Sequence, residues 1–257
     1  ESCMSYPFHP NKHALPTMLT AEKMIEFRRA QGGLKDVHAP ETVILCLYKG
    51  VMKYFPLKYS AKRVTGFLGD FYLLKKTNGK IGVMGNFGIG APVVANLAEE
   101  LVAWGTQQIV ILSLAGGLQP NLSPGDVVVC DRAIRDEGTS YHYLPPEKYV
   151  EASPQFVSEL SSSFQKKDLP HAIGGTWSTD APYRESREEA VMFQQEGVLA
   201  VDMESAGLFA VGKARSMETA SVLVVGDSLA SPRWSAPPDM RSLHQKMKEC
   251  FEILTLL

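Results

Sequence analysis

Residues 197–209 read G-V-L-A-V-D-M-E-S-A-G-L-F, and the pattern changes at the centre of this segment. The first five residues are apolar and typical of a buried strand, whereas the small and apolar residues after Glu204 are typical of a packed helix. Asp202 and Glu204 therefore stand where a strand passes into a helix. A strand that feeds a helix is the repeating unit of α/β folds, so the segment favours that class.

The two carboxylates allow two interpretations. Asp202 or Ser205 caps the helix, with Glu204 in its first turn. Alternatively, a carboxylate faces a ligand, because a buried carboxylate is costly unless hydrogen bonds or cations satisfy it. A vicinal diol, such as that of ribose, offers two donors to one carboxylate.

Composition limits the class of protein. A chain of 257 residues with 45% hydrophobic residues is long enough for one domain with a sizeable core. The formal net charge of −2 predicts neither a nucleic acid nor an anionic membrane as partner, and a small neutral or anionic ligand fits better. No apolar run reaches the roughly 18 residues of a membrane span, and the first residues lack the features of a signal peptide.

The four cysteines, Cys3, Cys46, Cys130 and Cys250, are far apart and form no C-x-x-C pair. We interpret them as reduced thiols, which predicts a cytoplasmic protein. The three residues before Met4 are interpreted as an addition to the natural start.

Helical and strand patterns alternate along the chain. Residues 1–40 are polar, broken by proline and glycine, and predicted to form an arm with one helix over 20–30 that Thr20 caps. Strands are predicted at 42–48, 108–114, 126–134, 172–177, 198–201 and 220–225, a hairpin at 71–84, and helices at 91–104, 154–166, 187–196, 204–215 and from 238. This order predicts a mixed, largely parallel sheet covered by helices on both faces.

Ligands of such folds bind at the carboxyl ends of strands. Five predicted strand exits are polar or rich in glycine, and we expect them to form one cleft: 85–88, 115–117, 177–180, 202–204 and 226–228.

Glycine-rich turns add a second pattern. Residues 85–92, G-N-F-G-I-G-A-P, follow a strand and open a helix, so their N–H groups could hold an anion, or the turn only allows close packing. Next come A-G-G-L-Q-P at 115–120 with P-G-D-V-V-V at 124–129, D-M-E-S-A at 202–206 and G-D-S at 226–228. This order of motifs resembles the nucleoside phosphorylase and nucleosidase superfamily, closest to its uridine-phosphorylase-like branch of trimeric and hexameric enzymes. The resemblance covers nearly the whole chain from about residue 40.

The resemblance implies a single-domain, three-layer α/β/α sandwich around a mixed, partly barrel-like sheet, with the arm at 1–40 and the catalytic domain at 41–257. It implies cleavage of the N-glycosidic bond of a nucleoside with phosphate as co-substrate and no metal or other cofactor. It also implies self-association into a dimer-based assembly such as a hexamer.

The family's ribose site is carried over to three positions. Glu204 matches the carboxylate that binds the sugar hydroxyls, and Met203 matches the side chain that lies against the sugar. His9, in the pair Phe8-His9, resembles an arm histidine that reaches a neighbouring subunit's site and meets the ribose O5′. The alternative for His9 is a surface histidine without a ligand.

Asp227 bears on the choice of base. Relatives that act on purines carry an aspartate at this strand exit that donates a proton to N7, whereas uridine-specific relatives do not, so the resemblance favours a purine over uridine. A carboxylic acid in an apolar pocket can keep its proton near neutral pH and act as general acid. A turn aspartate is the alternative. Arg241 or Arg233 is expected to partner Asp227.

Residues 180–187, D-A-P-Y-R-E-S-R, occupy the family's base-pocket segment. Asp180 belongs to this expected site, Tyr183 could stack on a base, and Arg184 and Arg187 could donate to its carbonyl oxygen. Phe87 of the glycine-rich turn is added to the set. The alternative is a loop that feeds a helix with a charged first turn.

The phosphate side departs from the family. Phosphorolytic relatives use a G-D-P-x-R turn after the first strand, a neighbour's arginine and an R-x-G-T-T-G strand exit, whereas this chain reads L-Y-K-G-V-M at 47–52 and I-L-S-L-A-G at 111–116. Gly88, Ser113, Ala115 and Gly116 are expected on this side, with Lys49, Lys53 and Arg63 as nearby cations. A phosphorylase is therefore the leading prediction, with a hydrolase that uses water, or a non-catalytic nucleoside-binding protein, as alternatives.

Overall fold

The structure is a computed structural model that describes residues 11–34, 37–231, 233–237 and 239–257, without the side chain of Pro56. His9 lies outside these residues, so its predicted role stays a prediction. Within them, helices and strands alternate from residue 42 onward.

The described helices are α1 Ala21–Ala30, α2 Lys49–Lys58, α3 Ala91–Trp104, α4 Pro154–Gln165, α5 Arg187–Gln195, α6 Ser205–Arg215 and α7 Met240–Leu254. The strands are β1 Thr42–Cys46, β2 Ala61–Val64, β3 Asp70–Leu74, β4 Ile81–Gly85, β5 Gln108–Gly117, β6 Val127–Asp136, β7 Tyr149–Glu151, β8 Ala172–Thr179, β9 Ala200–Asp202 and β10 Glu218–Ser228.

The sheet closes on itself at β5. This strand pairs in parallel with β1 and β10 and antiparallel with β9, and the series β10, β6, β8 and β9 then returns to β5. Strands β1, β4, β3 and β2 extend from the closed part as an open wing. The predicted partly barrel-like, mixed sheet is therefore confirmed.

The sheet is less parallel than expected. Among the described strands, five pairings are parallel and five antiparallel. The antiparallel pairs are β2–β3 and β3–β4 in the wing, β10–β6 and β5–β9 in the closed part, and β6–β7 beside it. A buried strand reads as an apolar run whether its neighbour is parallel or antiparallel, so the sequence did not distinguish the two kinds of pairing.

Helices cover the sheet in two groups. Helix α3 packs on α1 and α6, whereas α7 packs on α2 and α4. Strands β1 and β4 are buried along their whole length, as expected for strands covered on both faces. This arrangement agrees with the predicted three-layer sandwich.

Three described elements are absent from the sequence prediction: α2, β2 and β7. Helix α2 contains Gly50 and Pro56, both weak helix formers, and forms because Val51, Met52 and Phe55 are buried in the core. A Cβ on Gly50 would lie 2.6 Å from Nδ1 of His244, so the close approach of α7 requires glycine there.

The described part of the arm is attached to the rest of the chain. Thr20 caps α1 by accepting a hydrogen bond from the N–H of Lys23, as predicted. Arg28 of α1 forms a two-bond ion pair with Glu100 of α3, at 2.5 and 2.8 Å. The proposed division of the chain at residue 40 stays a prediction.

Candidate active site

Strand ends converge on a cleft of about 840 Å³. The exits of β5, β9 and β10 line it directly, as predicted. The exits of β4 and β8 do so only through residues that follow them: Ile89 after β4, and Pro182, Tyr183 and Glu185 after β8. The described lining residues are Leu47, Tyr48, Ile89, Ser113, Leu114, Ala115, Gly116, Pro182, Tyr183, Glu185, Val201, Asp202, Met203, Glu204, Gly226, Asp227, Leu229, Trp234, Pro237, Met240 and Leu243.

Asp202 is a structural carboxylate. One oxygen, Oδ1, accepts from the hydroxyls of Thr176 and Ser178, at 3.2 and 2.6 Å. The other, Oδ2, accepts from the backbone N–H groups of Glu204 and Ser205 and from the Ser205 hydroxyl, at 3.2, 2.8 and 2.6 Å. Both oxygens are engaged within the chain, so Asp202 caps α6 and fixes the backbone that carries Glu204.

Glu204 faces the cleft and does not cap α6. It is 3% exposed, and Oε1 accepts the N–H of Gly90 at 2.7 Å, while Oε2 accepts that of Met203 at 3.3 Å. Burial, followed by the charge of Asp202, raises the pKa of Glu204 to about 7. Of the two interpretations, capping therefore applies to Asp202, and the cleft-facing position applies to Glu204.

The glycine-rich turn supports Glu204. Gly90 has φ +97° and ψ 156°, a conformation open almost only to glycine, and it precedes α3. Its N–H donates to the Glu204 carboxylate. Within the described residues, the turn therefore binds an anionic side chain of the same chain.

Asp227 lies at a bulge of β10. The register against β5 shifts between Val225 and Asp227, which leaves Gly226 as the extra residue and redirects the Asp227 side chain. Oδ2 of Asp227 accepts from Nε1 of Trp234 at 2.5 Å. A Cβ on Gly116 would lie 3.3 Å from Oδ1, so glycine in β5 allows the carboxylate to approach.

The expected cation beside Asp227 is replaced by an indole. Arg233 and Arg241 are exposed, and in the described ranges neither forms an ion pair with Asp227. The side chain of Trp234 donates instead. The described structure therefore brings neither arginine to Asp227, and the segment after β10 turns its tryptophan to the carboxylate instead.

Glu185 is a lining residue that the sequence prediction missed. It is half-buried between the short turn Pro182–Arg184 and α5, and it lines the same cleft as Asp227. Burial, then the charges of Asp227 and Glu189, raise the pKa of Glu185 to about 7. The sequence signal was its position inside the base-pocket segment.

The other predicted base-binding residues do not all line the cleft. Tyr183 lines the cleft and is 100% exposed, so its ring is free to cover a ligand. Asp180 instead accepts the N–H of Gly138 at 2.8 Å and holds a neighbouring loop. Arg184 and Arg187 are exposed and are not among the described lining residues.

Phe87 does not belong to the cleft. It is buried in the main hydrophobic core and is not among the described lining residues. The described structure therefore does not bring Phe87 to the expected base site, because its side chain packs in the core.

The predicted anion side is only partly assembled. Ser113, Ala115 and Gly116 line the cleft, whereas Gly88 does not. The Ser113 hydroxyl donates to the carbonyl of Leu114 at 3.0 Å. Lys49 and Lys53 are exposed on α2, and Arg63 forms an ion pair with Asp70 at 2.9 Å.

The charged side chains of the described lining are all acidic. It contains the carboxyl groups of Glu185, Asp202, Glu204 and Asp227, and among the lining residues that the structure describes there is no lysine, arginine or histidine. No group of three or more metal-ligating side chains occurs in the described ranges. None of the described helices is long and apolar enough to cross a membrane.

The described cysteines agree with the prediction of unpaired thiols. Cys46, Cys130 and Cys250 are buried and free of disulfide bonds. Burial raises the pKa of Cys46 and of Cys250 to about 12, so these thiols are unreactive core residues.

Comparison with known proteins identifies the family. The model of the phosphorylase superfamily matches residues 53–255, and the chain belongs to that superfamily. It is 28% identical over 165 residues to a guanosine phosphorylase of Halorubrum lacusprofundi, an alignment that covers 64% of this chain and 68% of the relative. It is 33% identical over 151 residues to a uridine phosphorylase of Treponema pallidum, covering 54 and 58%. It is 22% identical over 195 residues to a DeoD-type purine nucleoside phosphorylase of Clostridium novyi, covering 71 and 84%.

Proposed function

We propose that the protein is a nucleoside phosphorylase, a pentosyltransferase that cleaves the N-glycosidic bond of a nucleoside and transfers the ribosyl group to phosphate. The observation that carries the proposal is the buried carboxylate of Glu204, which is held by backbone N–H groups and lines a cleft that Asp227 also lines. Relatives named as guanosine, purine and uridine phosphorylases support the same reaction.

The roles follow from the chemistry of each group. Glu204 accepts hydrogen bonds from the ribose hydroxyls, and Met203 packs against the sugar. The bond from C1′ to the base breaks with its electrons moving to the base, and Asp227, which lines the cleft, would donate a proton to that base. Carboxylates near the sugar stabilise the positive charge that develops at C1′.

A purine is the base we propose. Asp227 supports this choice, because a purine leaves readily once a ring nitrogen is protonated. Tyr183 and Trp234 would supply flat surfaces on which a base can stack. Uridine remains the second candidate.

Phosphate requires a cation that the described lining does not contain. We propose that a second copy of the chain supplies it, together with His9 of its arm, in a dimer-based homo-oligomer such as a hexamer. We further propose a cytoplasmic enzyme of nucleoside salvage that needs no metal or other cofactor.

Hydrolysis is the alternative reaction that the experiment must distinguish from phosphorolysis. A panel of purine and pyrimidine nucleosides, incubated with and without inorganic phosphate, distinguishes the candidates by product. A phosphorylase gives ribose 1-phosphate and base only when phosphate is present. Free ribose at equal rates in both arms would indicate a hydrolase, and nucleoside binding without turnover would indicate a binding protein.

A further inference from the structure

An exposed tryptophan of the cleft lining is hydrogen-bonded to Asp227. Trp234 is 63% exposed, and its Nε1 donates to Oδ2 of Asp227 at 2.5 Å. An exposed indole N–H can bond to water at little cost, so its bond to the carboxyl group needs a reason in the backbone. The chain after β10 supplies that reason in two ways.

The first is that the chain folds back directly after β10. Ser228 and Ser235 form an antiparallel bridge in which each N–H donates to the carbonyl of the other residue, at 3.1 and 3.0 Å. Bridged residues share one face, and the residues before them lie on the opposite face. Asp227 and Trp234 each precede a bridged residue, so the pairing places both side chains on the same face as diagonal neighbours.

The second is that neighbouring elements bind the chain that folds back. The N–H of Leu229 donates to the carbonyl of Gly117 in β5 at 2.9 Å. Nε2 of Gln194 in α5 donates to the carbonyl of Ala230 at 3.3 Å. The indole therefore reaches Asp227 from a backbone that is hydrogen-bonded to two other elements of the cleft.

The bond to the indole makes the two oxygens of Asp227 unequal. Oδ2 accepts from Trp234, whereas no donor within the described ranges bonds to Oδ1. Gly116 of β5 lies beside Oδ1 and has no side chain to cover it. In a protonated carboxyl group the carbonyl oxygen is the better acceptor, so the indole favours the proton on Oδ1. Oδ1 is then the oxygen that can pass a proton to a ligand.

The same bond strengthens when the proton leaves. While Asp227 is protonated, the indole bonds to a neutral acceptor, and after the transfer it bonds to a carboxylate. A hydrogen bond with an ionised partner is roughly twice as strong as a neutral one. The Trp234 indole therefore stabilises the transition state of proton transfer more than the bound substrate, which raises kcat rather than affinity.

We propose that Trp234 is a positioning residue: its indole N–H holds Oδ2 of Asp227, leaves Oδ1 to deliver the proton to the leaving base, and stabilises the carboxylate that forms. The proposal rests on the proposed function. It makes the contribution of Trp234 specific to substrates whose base must be protonated to leave.

The atoms and charges of the step balance. The electron pair of the bond from C1′ to nitrogen moves to the base, and the proton passes from Oδ1 of Asp227 to a ring nitrogen. A phosphate oxygen forms the new bond to C1′, and monohydrogen phosphate loses its proton to solvent as it becomes an ester. Asp227 regains one proton from solvent, and the indole gives up none.

The direct test of the bond is an NMR measurement on the full-length protein labelled with ¹⁵N. The chain has three tryptophans, so three indole N–H signals are expected, and that of Trp234 is assigned by its loss in Trp234→Phe. Asp227→Asn should move the Trp234 signal upfield, because a neutral acceptor deshields the proton less. A Trp234 signal that Asp227→Asn does not move would overturn the proposal whether or not the protein turns over nucleosides.

A second indole bond of the chain provides the control for this measurement. Nε1 of Trp177 donates to Oδ2 of Asp136 at 2.9 Å. Asp136→Asn should therefore move the Trp177 signal and leave the Trp234 signal in place. This comparison shows the size of the shift that loss of the acceptor's charge produces in the same protein.

The kinetic test uses Trp234→Phe, which keeps a flat ring and removes the N–H. For a purine nucleoside, kcat should fall about 10-fold while KM changes by less than about twofold. For a riboside with a p-nitrophenolate leaving group, which needs no proton, both constants should stay within about twofold of the wild type. A tryptophan that only stacks on the base or supports the fold would not produce this difference between substrates.

Two further variants make the kinetic test specific. Asp227→Asn combined with Trp234→Phe should be no slower than Asp227→Asn alone, because the indole acts through that carboxyl group. Ser231→Ala is the matched control. Its hydroxyl donates to the carbonyl of Arg233 at 2.7 Å, in the same part of the chain, and it is not among the described lining residues. This variant should resemble the wild type with both substrates.

The outcomes separate this inference from the proposed function. A wild type that cleaves purine nucleosides, together with a Trp234→Phe variant of unchanged kcat, would refute the positioning role alone. Equal losses with both substrates, or additive losses in the double variant, would also refute it. A wild type that cleaves neither substrate would refute the proposed function and any role of Trp234 in that reaction, while the NMR measurement would still show whether the indole binds Asp227.

Discussion

Glu204 and Asp202 are two positions apart and have different tasks. The five hydrogen bonds to Asp202 come from its own chain, so it anchors the start of α6. Glu204 receives two backbone N–H groups, and each of its oxygens keeps a free lone pair for a ligand. Glu204 thus differs from Asp202 because donors of the chain leave acceptor sites on its carboxylate unfilled.

Glu204→Gln should weaken ribonucleoside binding while the protein stays folded. Hydrogen bonds to a charged group contribute about 1.5–3 kcal/mol each, so the loss of one lowers affinity roughly 10- to 150-fold. Calorimetric titration with a ribonucleoside and its 2′-deoxy analogue measures the effect. The wild type should prefer the ribonucleoside and the variant should not; an unchanged preference would assign Glu204 to a structural role.

The same substitution should change how stability depends on pH. The folded-state pKa of Glu204, about 7, lies above the ordinary value of 4.5, so this group stabilises the folded state below about pH 4.5 relative to higher pH. That contribution is lost as the pH rises to about 7. Glu204→Gln removes the loss and should raise Tm at pH 8 by roughly 2–4 °C for each kcal/mol relieved. A lower Tm at pH 8 would contradict burial of the charge as the cause.

Asp227→Asn tests proton transfer to the base. If Asp227 takes part in that transfer, turnover of purine nucleosides should fall about 10²- to 10⁴-fold with little change in binding. A riboside with a p-nitrophenolate leaving group needs no proton and should lose much less. Equal losses for both substrates would indicate a structural aspartate, and a wild type that prefers uridine would contradict the proposed purine specificity.

At the scale of elements, a hydrogen bond joins the turn before α3 to the start of α6, two helices that pack against each other. The N–H of Gly90 reaches Glu204, which links two segments more than a hundred positions apart. Elsewhere, the bulge at Gly226 directs Asp227 toward Trp234. Irregular positions at the ends of regular elements therefore place the two carboxylates.

Gly90→Ala should therefore reduce both stability and binding. A side chain at φ +97° strains the backbone by about 1–3 kcal/mol, and relief of that strain would move the N–H away from Glu204. Gly125→Ala is the matched control, because Gly125 has φ +99°, open space around an added Cβ, and a position outside the described cleft lining. Urea unfolding should show a loss for both variants, whereas nucleoside affinity should fall only for Gly90→Ala.

At the scale of the whole molecule, closure of the sheet at β5 creates the cleft. Strands β9 and β10 flank β5 from opposite sides, so their exits meet although they are separated along the chain. The resulting lining is acidic in its described part, which is the reason for proposing that another copy contributes a cation.

Deletion of residues 1–13 tests the predicted assembly. Helix α1 and its ion pair with Glu100 remain, so the domain should stay folded. The loss of a His9 hydrogen bond from a neighbouring subunit should raise KM by about 2- to 10-fold, and His9→Ala should reproduce this. Light scattering coupled to gel filtration measures the assembly, and deletion of residues 1–6 is the control. A fully active monomer, or a deletion without loss, would contradict a shared site.

The local pattern of the sequence was sufficient for much of the fold. Helix α3 runs from Ala91 to Trp104 as predicted, because its apolar residues recur with helical spacing between a glycine at each end. Glu204 and Asp227 were predicted to be site residues from the predicted strand exits and from the order of the motifs, because both can be read along the chain. The same local reasoning missed α2, whose helix-breaking residues are overruled by burial.

What the tertiary structure alone decided is which distant groups became neighbours. Closure of the sheet at β5 and the position of Glu185 in the lining of the cleft each bring together segments that are far apart in the sequence. The directions of the Phe87, Arg233 and Arg241 side chains could not be predicted from the sequence either. The direction of a side chain depends on what packs around it, as the burial of Phe87 in the core shows. Amino-acid sequence determined the elements and their chemistry through local propensity and period, whereas long-range packing determined which of those groups share a cleft.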